Sequence, residues 1–239
     1  EDLTEAIESN GNAYAIGAGF LVQGNAAKTV VKSFTAAGET TSFAAQPEAT
    51  TVGFAAKLSY NTAGSADITV SAAGTEKPTG SVKLTIAGKS YTGALNSGKA
   101  RIALGGLIAA GRYTAKVEYT SDNALEFQNS SITSTVSVAK ATPAVALKLS
   151  KSKVKTSQKA TGAVSVSIPG ALKASAKGLK VTVYDGKKKV ATATLNSSGK
   201  ASVKLPKLKK GTHKIKVTVT STSNTNEKTS STKTLKVTK

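Results

Sequence analysis

The sequence predicts an all-β chain made of two tandem antiparallel β-sandwiches, preceded by a small α/β segment. Three observations lead to this prediction. Apolar and polar residues alternate along many short segments, turn-forming residues separate those segments, and one order of blocks occurs twice. Strict alternation is typical of strands with one buried and one solvated face. About seven such strands in roughly 95 residues are typical of a sandwich.

The internal repeat relates residues 82–140 to residues 180–239. The first copy contains V-K-L-T-I-A-G-K, A-L-N-S-G-K-A-R-I-A-L and A-G-R-Y-T-A-K-V-E-Y-T. The second contains K-V-T-V-Y-D-G-K, T-L-N-S-S-G-K-A-S-V-K-L and K-G-T-H-K-I-K-V-T-V-T. Because the blocks keep their order and spacing, we expect two copies of one unit of about 90–100 residues.

The alternation also predicts which side chains face the core. In the first copy these are Phe54, Ala56, Leu58, Tyr60, Ile68, Val70, Val82, Leu84, Ile86, Ile102, Leu104, Tyr113, Ala115, Val117, Tyr119, Val136 and Val138. In the second copy they are Val145, Leu147, Leu149, Val164, Val166, Ile168, Leu179, Val181, Val183, Val203, Leu205, Ile215, Val217, Val219, Leu235 and Val237.

Turn residues divide these strands. Asn96-Ser97-Gly98 and Asn196-Ser197-Ser198-Gly199 are predicted hairpin connections, since Asn and Gly tolerate positive φ. Pro143 fixes φ and lacks a donor, which suits the entry to an edge strand. We therefore place the two sandwiches at residues 51–140 and 141–239.

Residues 1–50 do not fit the repeat. Asp2-Leu3-Thr4-Glu5 predicts a helix cap, with Gly11 as the stop, and two strands are expected at Ala13–Val22 and Lys28–Thr35. A helix and two strands cannot form a core alone, so this segment is expected to dock. It could pack on the first sandwich, end a domain lying upstream, or pair with another subunit in self-assembly.

Composition limits the chemistry of the chain. There is no Cys, which excludes disulfides, zinc-thiolate sites and thiol nucleophiles, and only 5% of residues are aromatic. The longest apolar run, Ala13–Val22, is about half of what a membrane-spanning helix needs, so no membrane span is expected. There is also no Met, so Glu1 is expected to be either a processed terminus or the start of an excised piece.

Charge separates the two halves of the chain. Residues 1–140 carry 11 basic and 11 acidic side chains, whereas residues 141–239 carry 22 and 2, so the net charge of +20 lies entirely in the second half. Asp185 and Glu227 are its only acids. This asymmetry predicts a basic module joined to a neutral one.

The residues give little support for catalysis, and no cofactor is expected. His213 is the single histidine and aligns with Tyr113, an inward strand position, so it is interpreted as a packed residue or one at the rim of the core. His, Cys and carboxylates do not cluster at metal-ligand spacing. Gly17-Ala18-Gly19 lacks the Lys and the helix start of a phosphate loop, and its glycines are interpreted as close backbone packing. The sequence therefore predicts a protein that is not an enzyme.

The run from Gly178 to Val219 resembles the bacterial Ig-like repeats of Gram-positive secreted proteins. It contains Tyr-Asp-Gly at a strand end, then a V-A-T-A-T-L block, then G-K-A-S-V-K-L-P and Gly-Thr-His. In the first copy Ile86-Ala87-Gly88 and Gly111-Arg112-Tyr113 stand in these places. The resemblance implies immunoglobulin-like sandwiches from about Thr51 onward, in a protein that is secreted or lies at the cell surface.

Lysines of the second copy form the candidate site. The candidates are Lys180, Lys187, Lys188, Lys189, Lys204, Lys207, Lys209, Lys210, Lys214 and Lys216. They predict an electrostatic surface for an anionic polymer, such as cell-envelope polymer, acidic polysaccharide, nucleic acid or lipid headgroups. The alternative is that outward strand positions need solvated residues and that Lys blunts sheet edges. Both Arg residues lie in the first half and Tyr184 is the one Tyr, Phe or Trp of the second, so sequence-specific nucleic-acid binding is not expected.

Two functions remain open from the sequence. The first is a non-catalytic extracellular structural or adhesion protein, acting as a spacer or as a subunit of a cell-surface assembly. The second is a C-terminal accessory region of a larger secreted enzyme or binding protein, whose lysine-rich sandwich binds anionic polymers.

Overall fold

A computed structural model describes residues 47–124 and 126–239, together with the backbone strands between Ala6 and Thr40. All regular structure in the described residues is β-strand. No described segment forms a helix long and apolar enough to span a membrane. The prediction of an all-β chain with tandem sandwiches is confirmed.

Four N-terminal strands form an antiparallel meander. They are β1 (Ala6–Ser9), β2 (Asn12–Gly17), β3 (Phe20–Gly24) and β4 (Thr29–Ser33), in that spatial order. Two short strands, β5 (Thr35–Ala36) and β6 (Glu39–Thr40), pair with each other. The strand predicted at 28–35 is thus present as Thr29–Ser33.

The helix predicted near the N-terminus is wrong where it can be checked. Ala6–Ser9 is a strand, and its register with β2 pairs Ser9 with Asn12. Two residues, Asn-Gly in the sequence, separate that pair, and Asn-Gly is a strong two-residue hairpin signal. The predicted cap at residues 2–5 lies outside the described residues.

The strand predicted at Ala13–Val22 is two strands. Gly17 pairs with Phe20, so β2 and β3 are joined across two residues that lie outside the described ones. The sequence there is Ala-Gly, and glycine is a common hairpin residue. The interpretation of Gly17-Ala18-Gly19 as close backbone packing lies partly outside the described residues and stays a prediction.

The first sandwich has a three-stranded and a five-stranded sheet. The smaller has the order β12-β9-β7 and the larger the order β11-β10-β13-β14-β8. The strands are β7 (Thr50–Ala56), β8 (Leu58–Ser59), β9 (Gly64–Ala72), β10 (Gly80–Ile86), β11 (Lys89–Ala94), β12 (Lys99–Leu104), β13 (Gly111–Ser121) and β14 (Ser130–Ala139).

The second sandwich repeats this arrangement. Its sheets have the orders β15-β17-β20 and β16-β23-β21-β18-β19, and β22 adds to β21. The strands are β15 (Ala144–Leu149), β16 (Lys153–Lys155), β17 (Thr161–Ser167), β18 (Lys180–Asp185), β19 (Lys188–Thr194), β20 (Lys200–Lys204), β21 (Gly211–Val219), β22 (Lys228–Thr229) and β23 (Lys233–Thr238). Pro143 directly precedes the edge strand β15, as predicted.

The cores follow the predicted alternation. Val82, Leu84 and Ile86 are buried in the first sandwich, and Ile215 and Val217 in the second, each separated by more exposed neighbours. Phe127, Val154 and Leu195 are also buried, although the alternation did not mark them. Burial of aliphatic side chains contributes about 25 cal/mol per Å² of apolar surface, so these thin cores depend on Val, Ile and Leu.

The turns at Asn96-Ser97-Gly98 and Asn196-Ser197-Ser198-Gly199 connect strands of different sheets, so they are not hairpins within one sheet. The first joins β11 to β12, and the second joins β19 to β20. Each turn is fixed to the strand beside it, because Val70 N donates to Gly98 O at 2.8 Å and Val166 N donates to Gly199 O at 2.9 Å. Gly98 and Gly199 have positive φ as predicted, but Asn96 and Asn196 do not, and Ser97 shares the positive φ in the first turn. Asn196 instead accepts hydrogen bonds from Ser198 N and Lys200 N through its Oδ1. Turn chemistry does not state which sheet the next strand joins.

The structure corrects the alignment of the two copies by one residue. Ile86 lies opposite Ala115 in β13, and Asp185 lies opposite Ile215 in β21. Ala115 lies four residues after Gly111 at the start of β13, and Ile215 lies four residues after Gly211 at the start of β21. Asp185 therefore corresponds to Ile86 and not to Ala87. The glycine is the second residue of the two-residue turn in the first copy and the first in the second copy, which shifts the sequence match.

Contacts divide the chain into two compact units. One contains 1–56, 65–104 and 113–136, and the other contains 57–64, 105–112 and 137–239. The ranges 1–50, 51–140 and 141–239 remain a prediction from the sequence.

Candidate functional site

The outer side of the larger sheet of the second sandwich carries a row of lysines, which we call the lysine face. Alternation with buried residues places these side chains outward: Lys214 and Lys216 flank Ile215, and Lys180 precedes Val181. The lysine face comprises Lys153, Lys155, Lys180, Lys189, Lys214, Lys216 and Lys236. No ion pair joins any of the seven to an acidic side chain of the described residues.

The ten predicted lysines are spread over three places. Four lie on the lysine face: Lys180, Lys189, Lys214 and Lys216. Five lie near one end of the same sheet, with Lys187 and Lys188 at the β18–β19 turn and Lys207, Lys209 and Lys210 in the segment before β21. Lys204 is in β20 of the other sheet, so it is not part of this face.

Three lysines of the face were not among the predicted ones. Lys153 pairs in register with Lys236, and Lys155 with Thr238. The sequence does mark these lysines as outward, because residues 153–155 (Lys-Val-Lys) and 235–237 (Leu-Lys-Val) alternate with the same period of two as the strands that carry the predicted lysines. The sequence could not predict that Lys153 lies beside Lys236, since the parallel pairing of β16 with β23 is a long-range contact.

An aromatic residue lies between two of these lysines. Tyr184 is directly opposite Lys216 in β21, so these two side chains share one face of the sheet. In β19 Tyr184 pairs with the exposed Lys189, next to a β-bulge that shifts the register between Val183 and Tyr184. Lys189, Tyr184 and Lys216 thus lie on three neighbouring strands, and we call them the Tyr184 row. The hydroxyl of Tyr184 makes no hydrogen bond to another described residue.

The adjacent row consists of threonines. Thr182 is opposite Thr192 and Thr218, and Thr218 is opposite Thr229. The Oγ1 atoms of Thr218 and Thr229 are 2.8 Å apart. Four hydroxyl groups therefore line up beside the row that contains Tyr184.

The first copy carries different residues at the same register positions. Thr85 is opposite Ser90 and Lys116, so no aromatic side chain is present in that row. Lys116 donates to Glu118 at 2.6 Å. This hydrogen bond, and the charges of Lys116 and Lys83, hold the pKa of Glu118 below its usual value. The charge of the equivalent lysine is thus balanced in the first copy, whereas Thr218 replaces the acid in the second.

His213 forms a closed pair at the end of the second core. Its Nδ1 is 2.5 Å from Oδ2 of Asp185, and its Nε2 is 2.8 Å from the carbonyl oxygen of Lys209. The backbone N–H of Lys214 donates to Oδ1 of Asp185 at 3.2 Å. Burial, which disfavours the charged ring, is outweighed by the Lys209 carbonyl and the Asp185 carboxylate, so the pKa of His213 is raised above its usual value.

This pair is not arranged for catalysis. A general base needs a free ring nitrogen within reach of the proton that it takes, and both nitrogens of His213 already face acceptors. In the first copy Ile86 and Tyr113 occupy the corresponding positions. The His213–Asp185 contact is therefore a structural substitute for an apolar pair, in agreement with its interpretation as a packed residue.

Two other features of the described residues were candidates for a site. Among residues 47–124 and 126–239, no group of three His, Asp or Glu side chains is placed to hold a metal ion. A depression of about 530 Å³ lies on the outer side of the β15-β17-β20 sheet, and half of its lining residues are Ala or Ser, beside Lys148, Lys200 and Asn196. Its lining contains neither a histidine nor a carboxylate.

No protein-family model matches the chain, and no curated protein matches it. Among solved structures, the two-domain fibronectin type-III segment of chicken tenascin covers 77% of this chain and 97% of its own, at 12% identity and a TM-score of 0.48. Invasin, a bacterial integrin-binding protein, covers 76% and 38%, at 16% identity and a TM-score of 0.43. The Yersinia pseudotuberculosis adhesin InvE covers 77% and 58%, at 13% identity and a TM-score of 0.39. The resemblance to bacterial Ig-like repeats rests on the residues from Gly178 to Val219.

Proposed function

We propose that this chain is a non-catalytic structural protein of the bacterial cell exterior, acting as a spacer or adhesion module in a surface assembly. Its polar groups support this role. Asn61, Thr225 and Ser230 are the buried polar residues of the described part, and each is hydrogen-bonded within the fold. No buried side-chain nitrogen or oxygen there lacks a partner, so no buried polar group is held ready for a substrate.

The observation that carries the proposal is the parallel pairing of an early strand with the last strand in both copies. β8 pairs with β14 through Val138–Leu58 and Ala139–Ser59, and β16 pairs with β23 through Lys153–Lys236 and two further positions. In the second copy Lys236 N donates to Ser152 O at 2.8 Å, and Thr156 N donates to Thr238 O at 2.9 Å.

This pairing suits a load-bearing module. Tension applied at the two ends of a sandwich pulls parallel terminal strands in opposite directions, so their hydrogen bonds are loaded in shear and must break together. An antiparallel terminal pair would instead open one bond at a time. The arrangement thus favours a chain that transmits force, as a spacer or adhesin does.

Single-molecule force spectroscopy on the full chain tests the proposal. Thr156→Pro removes the N–H that donates to Thr238, and Pro suits the second position of the turn closed by Gln158 N and Lys155 O. We expect this variant to lower the unfolding force of the second sandwich. Thr156→Ala keeps the N–H and should leave the force unchanged. Equal forces in the wild-type chain and the Pro variant, or a low force in the wild-type chain, would contradict the load-bearing role.

The lysine face supports the second function, binding of anionic polymers as an accessory region of a larger secreted protein. Seven lysines without acidic partners concentrate positive charge on one side of a sheet, and such a surface attracts polyanions through counterion release. Retention of the full chain on immobilised polyphosphate should be strong at low salt and should fall steeply toward physiological salt. No retention at low salt would end this proposal.

A further inference from the structure

We propose that the Tyr184 row of the lysine face is a binding site for an acidic polysaccharide chain. The proposal rests on the polyanion-binding function above and names its ligand class. It depends on three things that occur together only in the second copy: an aromatic side chain, an unbalanced pair of lysines beside it, and a row of hydroxyl groups.

The spacing of the row fits a sugar chain. Lys189 and Lys216 lie one strand to either side of Tyr184, so their backbones are about 10 Å apart at the usual strand separation. That separation is comparable with the length of a disaccharide. A sugar ring resting over Tyr184 would therefore place carboxylates of its chain within reach of both lysines.

Each component matches one part of a uronic-acid unit. The ring of Tyr184 offers an apolar surface with a polar edge, which suits the C–H face of a pyranose. Lysine ammonium groups attract carboxylates as mobile point charges. Thr182, Thr192 and Thr218 offer donors and acceptors to sugar hydroxyls in the adjacent row.

Other anionic polymers fit less well. Residues 141–239 contain no Arg, so bidentate recognition of phosphate or guanine is missing. One aromatic side chain provides a single stacking position, whereas binding of a nucleic-acid strand uses successive stacked bases. A bare polyphosphate would use the lysines and the hydroxyl groups but not the apolar ring surface of Tyr184.

The first copy shows that this row is not required by the fold. Its equivalent row is Ser90, Thr85 and Lys116, and Glu118 balances the lysine. Substitutions that carry first-copy residues into the second copy are therefore compatible with the strand register. Tyr184→Thr removes the aromatic ring, and Thr218→Glu introduces the acid that the first copy has.

Binding of the full chain to polygalacturonate is measured by calorimetry at low salt, with inorganic polyphosphate and neutral methyl-esterified polygalacturonate as comparison polymers. We expect Tyr184→Thr to weaken polygalacturonate binding about tenfold, equivalent to about 1.4 kcal/mol, and to leave polyphosphate binding unchanged. Thr218→Glu, which lowers the net charge by one unit, should weaken polygalacturonate binding more than Lys204→Glu, which lowers it by two units in the other sheet. Circular dichroism confirms that each variant is folded.

The outcomes separate the two proposals. If both anionic polymers bind and Tyr184→Thr affects neither, the polysaccharide site is wrong while polyanion binding stands. If Lys204→Glu weakens binding as much as Thr218→Glu does, the attraction is diffuse and the site is again wrong. If neither anionic polymer binds at low salt, both proposals fail.

Discussion

Asn61 shows how a single buried polar residue can organise a loop. It is 1% exposed, has a φ of 66°, and its Nδ2 donates to Ile168 O at 2.8 Å and to Pro169 O at 3.1 Å. Its Oδ1 accepts from Ala174 N at 2.8 Å. All of these groups lie in the same compact unit. One side chain therefore makes hydrogen bonds to three backbone groups between Ile168 and Ala174.

Replacement of Asn61 by Ala should be strongly destabilising. Three hydrogen bonds of about 1 kcal/mol each are lost, and Ala at a positive φ costs about 1–2 kcal/mol more. Asn61→Gly loses the same bonds but tolerates the backbone conformation, so it should be less destabilising by that last amount. Urea unfolding of the full chain measures both, and equal losses in the two variants would show that the backbone conformation contributes nothing.

His213 should stabilise the second sandwich more at mildly acidic pH than at alkaline pH. Its pKa is raised on folding, so protonation is favoured in the folded state. The stabilisation is fully present below the usual pKa of 6.5 and is lost as the pH rises through the raised value. Unfolding free energies on both sides of that range should show the decline, and His213→Gln should remove it. A decline that persists unchanged in the variant would assign it to another group.

At the scale of elements, the turns between sheets are fixed by close backbone approach. Gly199 has a φ of 68°, and a Cβ there would collide with the carbonyl oxygen of Val166. Gly186 has a φ of 58°, but a Cβ there would meet open space. The two glycines therefore share a conformational requirement and differ in crowding.

Replacing each of these glycines by Ala separates the two effects. Gly186→Ala should cost about 1–2 kcal/mol, from the positive φ alone. Gly199→Ala should cost clearly more, because the turn must also move away from β17. Thermal unfolding of the two variants side by side is the measurement. If Gly186→Ala is as damaging as Gly199→Ala, the collision with Val166 is not what fixes the turn.

Alternation along strands is a local property, which is why the sequence predicts the two sandwiches and their inward side chains well. The errors occur where a non-local contact decides. Asn96-Ser97-Gly98 predicts a turn but not the change of sheet, and Asp185 matches Ala87 in sequence although strand pairing aligns it with Ile86. Likewise, the alternation marks lysines as outward, but only strand order places Lys153 beside Lys236 and leaves Lys204 on the other sheet.

At the scale of the whole molecule, the concentration of charge in one half is a source of self-repulsion. Residues 141–239 carry 22 basic and 2 acidic side chains, and one of the two acids, Asp185, is engaged by His213. Like charges held on a compact surface destabilise it. A protein whose lysines only served solubility could balance them with acids, as Lys116 and Glu118 do in the first copy.

The Thr218→Glu variant tests whether the unbalanced charge is held at the expense of stability. Thr218→Glu removes the hydrogen bond between Thr218 and Thr229 and adds an exposed ion pair, which contributes about 0.2–1 kcal/mol and is screened by salt. The unfolding temperature of the variant relative to the wild-type chain should therefore be higher at low salt than at high salt. Thr192→Ala removes a neighbouring hydroxyl without altering charge and should show no such salt-dependent gain. If the acid gives no gain at low salt, Lys216 is not in a repulsive field. A gain in stability together with weaker polygalacturonate binding would mean that the lysine face is kept acid-free for its ligand.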